Sequence, residues 1–282
     1  MIIDFHTHTF PDNIAGQVIH KLSLDSCTLP FSDGTLNGLL HSMQTAGVNY
    51  SVTLPVMTNT AQVEKINSSI ITNKDALFAQ GIVAFGGLHP DFEKYKEELK
   101  KLHDAGIKGI KLHPAYQNVD LDDIRMLRII DAASELGLIV LIHAGMDIGI
   151  YDHNYSSVSH ILKVIDEIHP TKFVLAHMGN WGCWEEVESD LAGAPVYMDT
   201  AFAIGAITPA PYAEKAPLLS ENLTKDAFVR IVKEHGADKI LFATDSPWED
   251  QADYIRRIQE MPLTPEDKAN ILGVNAAKLL QL

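Results

Sequence analysis

The stretch Ile2-Ile3-Asp4-Phe5-His6-Thr7-His8-Thr9-Phe10-Pro11 decides between the two α/β folds that are open to this chain. Its first half is an apolar run typical of a buried parallel strand, and its second half is a turn without glycine. An open, doubly wound sheet is expected to carry a glycine-rich phosphate turn directly after its first strand. The sequence therefore favours the other fold, a closed (β/α)8 TIM barrel.

Beyond this stretch, short apolar runs alternate with amphipathic segments eight times along the chain. The runs predicted as strands are residues 2–6, 50–54, 82–86, 107–112, 138–143, 172–177, 195–199 and 239–245. Helices are predicted between them, for example over residues 92–105 and 122–136, and glycines such as Gly47 and Gly106 follow several of these helices as C-caps. Eight such units without a break in composition predict one domain over residues 1–282.

Composition limits the classes of function. The chain has 282 residues, 46% of them hydrophobic, which is enough for one large core. Its formal charge is −15, so its surface repels phosphate backbones and argues against a nucleic-acid partner. No apolar run approaches the ~18 residues that cross a bilayer, and no signal-peptide pattern opens the chain. We expect a cytoplasmic protein that acts on a small molecule, without a membrane partner, and two cysteines in all fit a reducing compartment.

Polar residues that suit a metal end several of the predicted strands. His6 and His8, two residues apart at the end of the first strand, project to the same side. His143, His177 and Asp245 each end another apolar run, and in a barrel such positions meet at the carboxyl-terminal rim of the strands. Taken singly, each residue is equally compatible with capping a helix or satisfying a loop. Together they predict a site for a divalent transition metal such as zinc.

With these residues in place, the chain resembles the amidohydrolase superfamily, and within it the amidohydrolase-related branch that includes aminocarboxymuconate-semialdehyde decarboxylase and several lactone and carboxylate hydrolases. The matching motifs are Ile3-Asp4-Phe5-His6-Thr7-His8, Gly109-Ile110-Lys111-Leu112-His113-Pro114, His143-Ala144-Gly145, His177-Met178-Gly179, Thr244-Asp245-Ser246-Pro247-Trp248 and Ile271-Leu272-Gly273-Val274-Asn275-Ala276. They span the whole chain in the expected order. The resemblance is therefore specific for the superfamily and says much less about the substrate.

The resemblance implies that His6, His8, His143 and Asp245 hold one divalent metal ion, usually zinc, and that His177 orients or deprotonates a water molecule. Elementary chemistry agrees, because such an ion lowers the pKa of bound water towards ~7 and a neutral imidazole or a carboxylate can take up the proton. Whether His177 is a base or a ligand stays open at this stage. Barrels of this branch are often homodimers or larger homo-oligomers, which leaves the oligomeric state open as well.

Further residues near the predicted rim are candidates for substrate contact. Lys111 and His113 share a face of the fourth strand. We favour a structural or substrate-carboxylate role for Lys111, against the carboxylated lysine that bridges two metals in binuclear members of the superfamily. His113 either contacts substrate or is satisfied within its loop. Asp4 is predicted to share a face with His6, where it would fix a ligand or pair with Lys111, and His89 ends the third strand as a weaker candidate.

Aromatic residues follow the predicted strand ends. The three tryptophans, Trp181, Trp184 and Trp248, all follow such strand ends, and Tyr116 and Phe202 lie in neighbouring loops. These five side chains either form an aromatic wall around the substrate or pack the loops together. Two strand-to-helix connections, residues 9–34 and 201–224, are unusually long and are expected at the catalytic face. We interpret the second as a lid.

The leading hypothesis from the sequence is a metal-dependent hydrolase that uses a metal-activated water to cleave an ester, lactone or amide bond. The alternative is a metal-dependent, non-oxidative decarboxylase of an unsaturated or aromatic carboxylic acid. A barrel that binds a ligand without catalysis is the third hypothesis. An intact set of ligands and a histidine placed to activate water argue against it.

Overall fold

The computed structural model describes residues 1–211 and 222–282 as an α/β barrel of parallel strands, which confirms the predicted TIM-barrel fold. The strands are β1 (Ile3–Thr7), β2 (Tyr50–Thr53), β3 (Ile82–Ala84), β4 (Gly86–Gly87), β5 (Gly109–Leu112), β6 (Ile139–Ile142), β7 (Phe173–Leu175), β8 (Tyr197–Asp199) and β9 (Ile240–Leu241). Each predicted apolar run overlaps one of them, except that residues 82–86 overlap two, because Phe85 interrupts the third barrel strand.

The barrel is closed by backbone hydrogen bonds at two places where the regular pairing is interrupted. Strands β1 to β3 pair in order, and so do β4 to β9. The Phe85 N–H donates to the carbonyl of Thr53 at 3.0 Å, which joins the sheet of β1 to β3 to the sheet of β4 to β9. At the other seam the Phe5 N–H donates to the Phe242 carbonyl at 2.8 Å, and the Asp245 N–H donates to the His6 carbonyl at 2.9 Å. The segment after β9 therefore still runs beside β1 although it has left regular strand geometry.

Helices surround the strands and link them. They are α1 (Asp12–Ser26), α2 (Leu36–Ala46), α3 (Ala61–Phe78), α4 (Tyr95–Asp104), α5 (Pro114–Gln117), α6 (Ile124–Glu135), α7 (Val158–Ile168), α8 (Trp184–Glu186), α9 (Lys225–His235), α10 (Gln251–Gln259), α11 (Pro265–Ala269) and α12 (Asn275–Leu280). Helix α6 begins later than predicted because the Asp123 side chain accepts the Arg125 N–H and so caps it. Within residues 1–211 and 222–282, no helix is long and apolar enough to span a membrane.

Apolar packing fills the barrel below its carboxyl-terminal rim. A buried cluster joins Ile3 and Phe5 of β1 to Leu141 of β6 and Leu241 of β9. Helix α12 packs against this cluster through Leu279, at the end of the barrel where the strands begin. Polar chemistry is thereby confined to the opposite end, where the strands finish.

Candidate metal centre and active site

Three of the predicted ligands meet at the carboxyl-terminal rim. The structure brings His6, His8 and Asp245 together so that one ligand atom of each lies within 4.8 Å of the others, and we refer to these three residues as the rim cluster. The Nε2 atoms of the two histidines are 3.1 Å apart. Asp245 Oδ1 lies 3.4 Å from His6 Nε2 and 3.2 Å from His8 Nε2.

The second nitrogen of each rim histidine is held by an oxygen atom. His6 Nδ1 lies 2.8 Å from Asp199 Oδ2, and His8 Nδ1 lies 2.8 Å from the carbonyl oxygen of Leu54. Since these oxygens accept hydrogen bonds, Nδ1 carries the proton in both rings and Nε2 presents a lone pair. Lone pairs of two imidazoles and a carboxylate oxygen thus face one another, an arrangement that a cation stabilises and that suits a divalent metal.

His143 and His177 extend the same pattern. His177 Nδ1 donates to the Ala201 carbonyl at 2.8 Å, and His143 Nε2 donates to the Met146 carbonyl at 3.2 Å. The remaining nitrogens, His177 Nε2 and His143 Nδ1, face each other at 3.0 Å. The His177 ring also lies against that of His6, with centroids 5.4 Å apart, so His177 adjoins the rim cluster directly. His143, the fourth predicted ligand, contacts His177 and lies within 4.8 Å of His113 and Asp147, outside the group formed by His6, His8 and Asp245.

Burial keeps these imidazoles neutral. It lowers the pKa of His177, and it lowers the pKa values of His6 and His143 well below the usual value. For His6 and His143, the charge of Lys111 and the neighbouring histidines lower the pKa further. Protons on these imidazoles therefore do not resolve the opposition of lone pairs at pH 7. Burial raises the pKa of Asp245, and only positive charge on the adjoining His6 and His8 rings lowers it.

Lys111 places a buried amine beside the rim cluster. Its Nζ lies 3.3 Å from His6 Nε2. Burial lowers the pKa of Lys111 to about 8, although the carboxylates of Asp199 and Asp245 oppose the shift. The amine therefore remains mostly protonated at pH 7 and offers hydrogen bonds to His6 and to an anion bound beside it.

A second group of histidines and aspartate, which we call the inner cluster, consists of His113, His143 and Asp147, all buried. The rings of His113 and His143 are stacked with centroids 4.3 Å apart. Asp147 Oδ2 lies 3.6 Å from His113 Nε2 and 4.0 Å from His143 Nε2. His113 Nδ1 accepts the N–H of Tyr116 at 3.3 Å, so Nε2 carries the proton and points to the carboxylate.

Asp199 and Asp147 were missed by the sequence reasoning. Asp199 ends the predicted strand 195–199 in the same way as His143 ends its strand, so the strand-end pattern already marked it. Its Oδ1 also accepts the backbone N–H groups of His177 and Ala201, so one carboxylate contacts both the His6 ring and the backbone at His177. Asp147 follows β6 within a loop, and no periodicity in the sequence distinguishes it.

The predicted pairing of Asp4 with Lys111 is wrong, and the weaker candidate His89 bonds within its loop. Asp4 does not pair with Lys111, since its carboxylate accepts hydrogen bonds from Thr244 Oγ1 at 2.6 Å and Gln251 Nε2 at 2.7 Å. The register between β1 and β2 shifts after Asp4, so simple alternation no longer places this residue beside the His6 ring. The His89 side chain forms a hydrogen bond within its own loop, where Nδ1 accepts the backbone N–H of Asp91 at 3.2 Å.

The aromatic residues gather beside the two clusters. Trp181 and Phe202 form a buried apolar group with Ile207, and Trp184 and Trp248 pack against it while remaining partly exposed. The Trp184 indole donates to the carbonyl of His177 at 3.0 Å, and the Tyr116 ring lies edge-on to His113 with centroids 4.5 Å apart. Residues 212–221 of the predicted lid lie outside the described residues.

Comparison with known proteins shows the family. The sequence profile of the family described as Amidohydrolase matches residues 3–282. A TIM-barrel protein from Bordetella bronchiseptica, described as uncharacterized, has a TM-score of 0.76 at 18% identity, with 99% of this chain and 98% of that chain covered. No match was found among curated proteins.

Two decarboxylase structures are also similar. For 5-carboxyvanillate decarboxylase from Sphingomonas paucimobilis the TM-score is 0.70 at 15% identity, with coverage of 100% and 99%. For dihydroxybenzoic acid decarboxylase from Polaromonas, solved with bound manganese and the inhibitor 2-nitroresorcinol, the TM-score is 0.70 at 15% identity, with coverage of 100% and 97%. At such identities the likeness establishes the barrel fold.

Proposed function

The chain belongs to the amidohydrolase family, and from this premise we propose that it is a metal-dependent, non-oxidative decarboxylase of an aromatic or unsaturated carboxylic acid. The observation that carries the proposal is the convergence of unprotonated ligand atoms at the rim, with a buried lysine beside them. The similarity to decarboxylase barrels over nearly their whole length supports it. The sequence alone had placed hydrolysis first, and the structural neighbours support the alternative that it left open.

We assign the metal to His6, His8, His143 and Asp245. A divalent cation in such a site acts as a Lewis acid towards a substrate oxygen or a bound water. Imidazole and carboxylate ligands suit zinc, and manganese is present in the Polaromonas decarboxylase. Asp199 keeps the His6 ring in the tautomer that presents Nε2, which is the usual role of a carboxylate behind a ligating histidine.

Lys111 fits a substrate that carries a carboxylate. Its ammonium group is buried, so an anion that reaches it is held in a medium where charge interactions are strong. The surface of the protein is acidic overall, and a local buried cation overcomes this field within the pocket. This role agrees with the substrate-carboxylate interpretation from the sequence.

His177 is the residue that we assign to proton transfer. Its Nδ1 is fixed on the Ala201 carbonyl, so only Nε2 exchanges protons with the site. In decarboxylation the bond between carbon and carboxylate breaks, carbon dioxide leaves, and a proton from solvent passes through Nε2 to the carbon. In hydrolysis, the second candidate, the same atom accepts the proton of the attacking water. The family description favours this second reaction, and the neutral state of His177 suits it.

The two reactions are separated by their products. Protein loaded with zinc or with manganese is incubated with 2,6-dihydroxybenzoate and 5-carboxyvanillate, and in parallel with phenyl esters, lactones and anilides. We expect metal-dependent release of carbon dioxide from a carboxylate substrate, and none from His6→Ala protein treated in the same way. Acid production from esters, lactones or amides without carbon dioxide release would instead establish the hydrolase. Inactivity on every class by metal-loaded, folded protein contradicts both candidates.

A further inference from the structure

The two segments that carry the rim cluster meet at the seam between β1 and β9, where the regular strand pairing is interrupted. His6 lies near the end of β1 and His8 just after it, and Asp245 lies in the segment that follows β9. The Asp245 N–H donates to the His6 carbonyl at 2.9 Å, and the His8 N–H donates to the Ser246 carbonyl at 2.6 Å. The separation of the rim ligands therefore depends on how these two segments are held together.

The buried carboxylate of Asp4 bonds to both segments. Its Oδ1 accepts the backbone N–H of His6 at 3.3 Å and that of Thr244 at 3.1 Å. Its Oδ2 accepts the Thr244 hydroxyl at 2.6 Å and the Gln251 side-chain amide at 2.7 Å. One side chain thus supplies the acceptors that a regular neighbouring strand would provide to these N–H groups. Its partners are a rim ligand and the residue directly before another.

Thr244 extends this network across Asp245. The Thr244 hydroxyl accepts the backbone N–H of Ser246 at 3.1 Å while it donates to Asp4, so one oxygen holds the residues on both sides of Asp245. Asp245 itself has a φ of 64°, in the left-handed region that residues with a side chain seldom adopt. Such a conformation persists where the surrounding structure imposes it. Here it belongs to a residue whose carboxylate points to both rim histidines.

We propose that Asp4 and Thr244 are positioning residues, which act through the backbone of His6 and Asp245 to set the geometry of the metal site. This inference rests on the proposed metal assignment and adds the network that orders its ligands. Both side chains are fully buried, so solvent does not compete for their hydrogen bonds. A metal binds most tightly where its ligands are already in place, because ordering them otherwise reduces the free energy of binding.

Two substitutions at Thr244 separate the hydroxyl from the shape of the side chain. Thr244→Val has nearly the same shape and lacks the hydroxyl, whereas Thr244→Ser keeps it. Zinc affinity of the full-length proteins is measured by competition with a chromophoric chelator. Visible absorption of the cobalt-loaded proteins reports the geometry of the ligands around the ion.

We expect Thr244→Val to bind zinc roughly 10- to 100-fold more weakly and to show altered cobalt bands, since the Asp245 backbone is no longer held. Thr244→Ser should resemble the unmodified protein in both measurements. Asp4→Asn, which replaces one acceptor oxygen of the network by an amide nitrogen, should change affinity and spectrum in the same direction as Thr244→Val.

Thr28→Val is the matched control for the loss of a buried hydroxyl. Thr28 is buried, and its Oγ1 lies 2.7 Å from Ser26 Oγ. This substitution should lower the free energy of unfolding of the metal-free protein, as Thr244→Val does, because each leaves a buried polar group without its partner. Zinc affinity and the cobalt spectrum of Thr28→Val should stay unchanged, whereas a purely structural role of Thr244 would make the two variants alike.

The outcomes are distinct. Unchanged zinc affinity and an unchanged cobalt spectrum in folded Thr244→Val overturn the inference and leave the proposed function standing. Equal changes in Thr28→Val, or an equal loss of affinity in Thr244→Ser, also overturn it, because general destabilisation or side-chain shape would then be the cause. If the unmodified chain binds neither zinc nor cobalt, the proposed metal-dependent function fails together with the inference.

Discussion

The rim cluster and the inner cluster contain the same residue types, two histidines and one aspartate each, yet they differ in where the protons lie. In the rim cluster both Nδ1 atoms donate to oxygens of Asp199 and Leu54, so the nitrogens that face Asp245 are unprotonated. In the inner cluster, Nε2 of His113 and of His143 bears a proton near Asp147. Backbone and carboxylate partners outside each group therefore decide which cluster presents unprotonated nitrogens to its aspartate and which presents protonated ones.

Removing one histidine from each cluster gives the largest contrast. His6→Ala should lose the metal and nearly all turnover, because it deletes a direct bond to the ion. His113→Ala should keep about one equivalent of metal per chain. Elemental analysis of both purified proteins, with the unmodified chain alongside, measures this. Two equivalents in the unmodified chain, one of which disappears with His113, would break the distinction between the clusters.

Proton transfer gives the next largest effect. His177→Asn should reduce turnover by about 10²–10⁴-fold while most of the metal stays bound, since general acid–base catalysis is lost and the assigned ligands remain. Metal content and pH–rate profiles are measured on the same preparation. If this protein is as free of metal as His6→Ala, His177 is a ligand and another group must transfer the proton.

Asp199 should have an intermediate effect that is specific to the rim cluster. Asp199→Asn keeps the shape of the side chain and removes the charge behind His6, so metal affinity should fall roughly 10- to 100-fold. Competition with a chromophoric chelator measures the affinity. Asp120→Asn serves as the control, because Asp120 pairs with His153 in a partly exposed ion pair. An equal loss in both variants would indicate general destabilisation.

The buried Asp147 carboxylate should reduce the stability of the metal-free protein at neutral pH. Burial raises the pKa of Asp147 to about 6. Its protonated form is therefore favoured on folding, and the stability that it contributes is lost as the pH rises from its unfolded value of 3.8 through 6. Asp147→Asn should raise the free energy of unfolding of metal-free protein at pH 7.5 by at most ~3 kcal/mol, with a smaller gain at pH 5.

Urea unfolding of Asp147→Asn and of the unmodified chain, both free of metal, at several pH values measures this difference. A gain that does not grow between pH 5 and pH 7.5 would contradict the raised pKa of Asp147.

Part of the site was predictable because strand ends are a strong sequence signal. An apolar run that stops at a polar residue places that residue at the rim, and this rule located His143, His177 and Asp245 without coordinates. The same rule applied to Asp199 and was not used. Side-chain alternation, which predicted that Asp4 shares a face with His6, fails because the shift in register after Asp4 depends on how β1 lies against β2 and is not visible in the order of the side chains.

The barrel, its eight units and the chemical types that gather at one end were predictable, since periodicity and strand-end composition are local properties of the chain. How these residues divide into two clusters depends on contacts between distant segments. The protonated nitrogen of each histidine is chosen by an oxygen distant in the chain, such as Asp199 for His6 or the Ala201 carbonyl for His177. Asp147 enters the site only because its loop folds back onto His113. These are long-range contacts, and no local pattern encodes them.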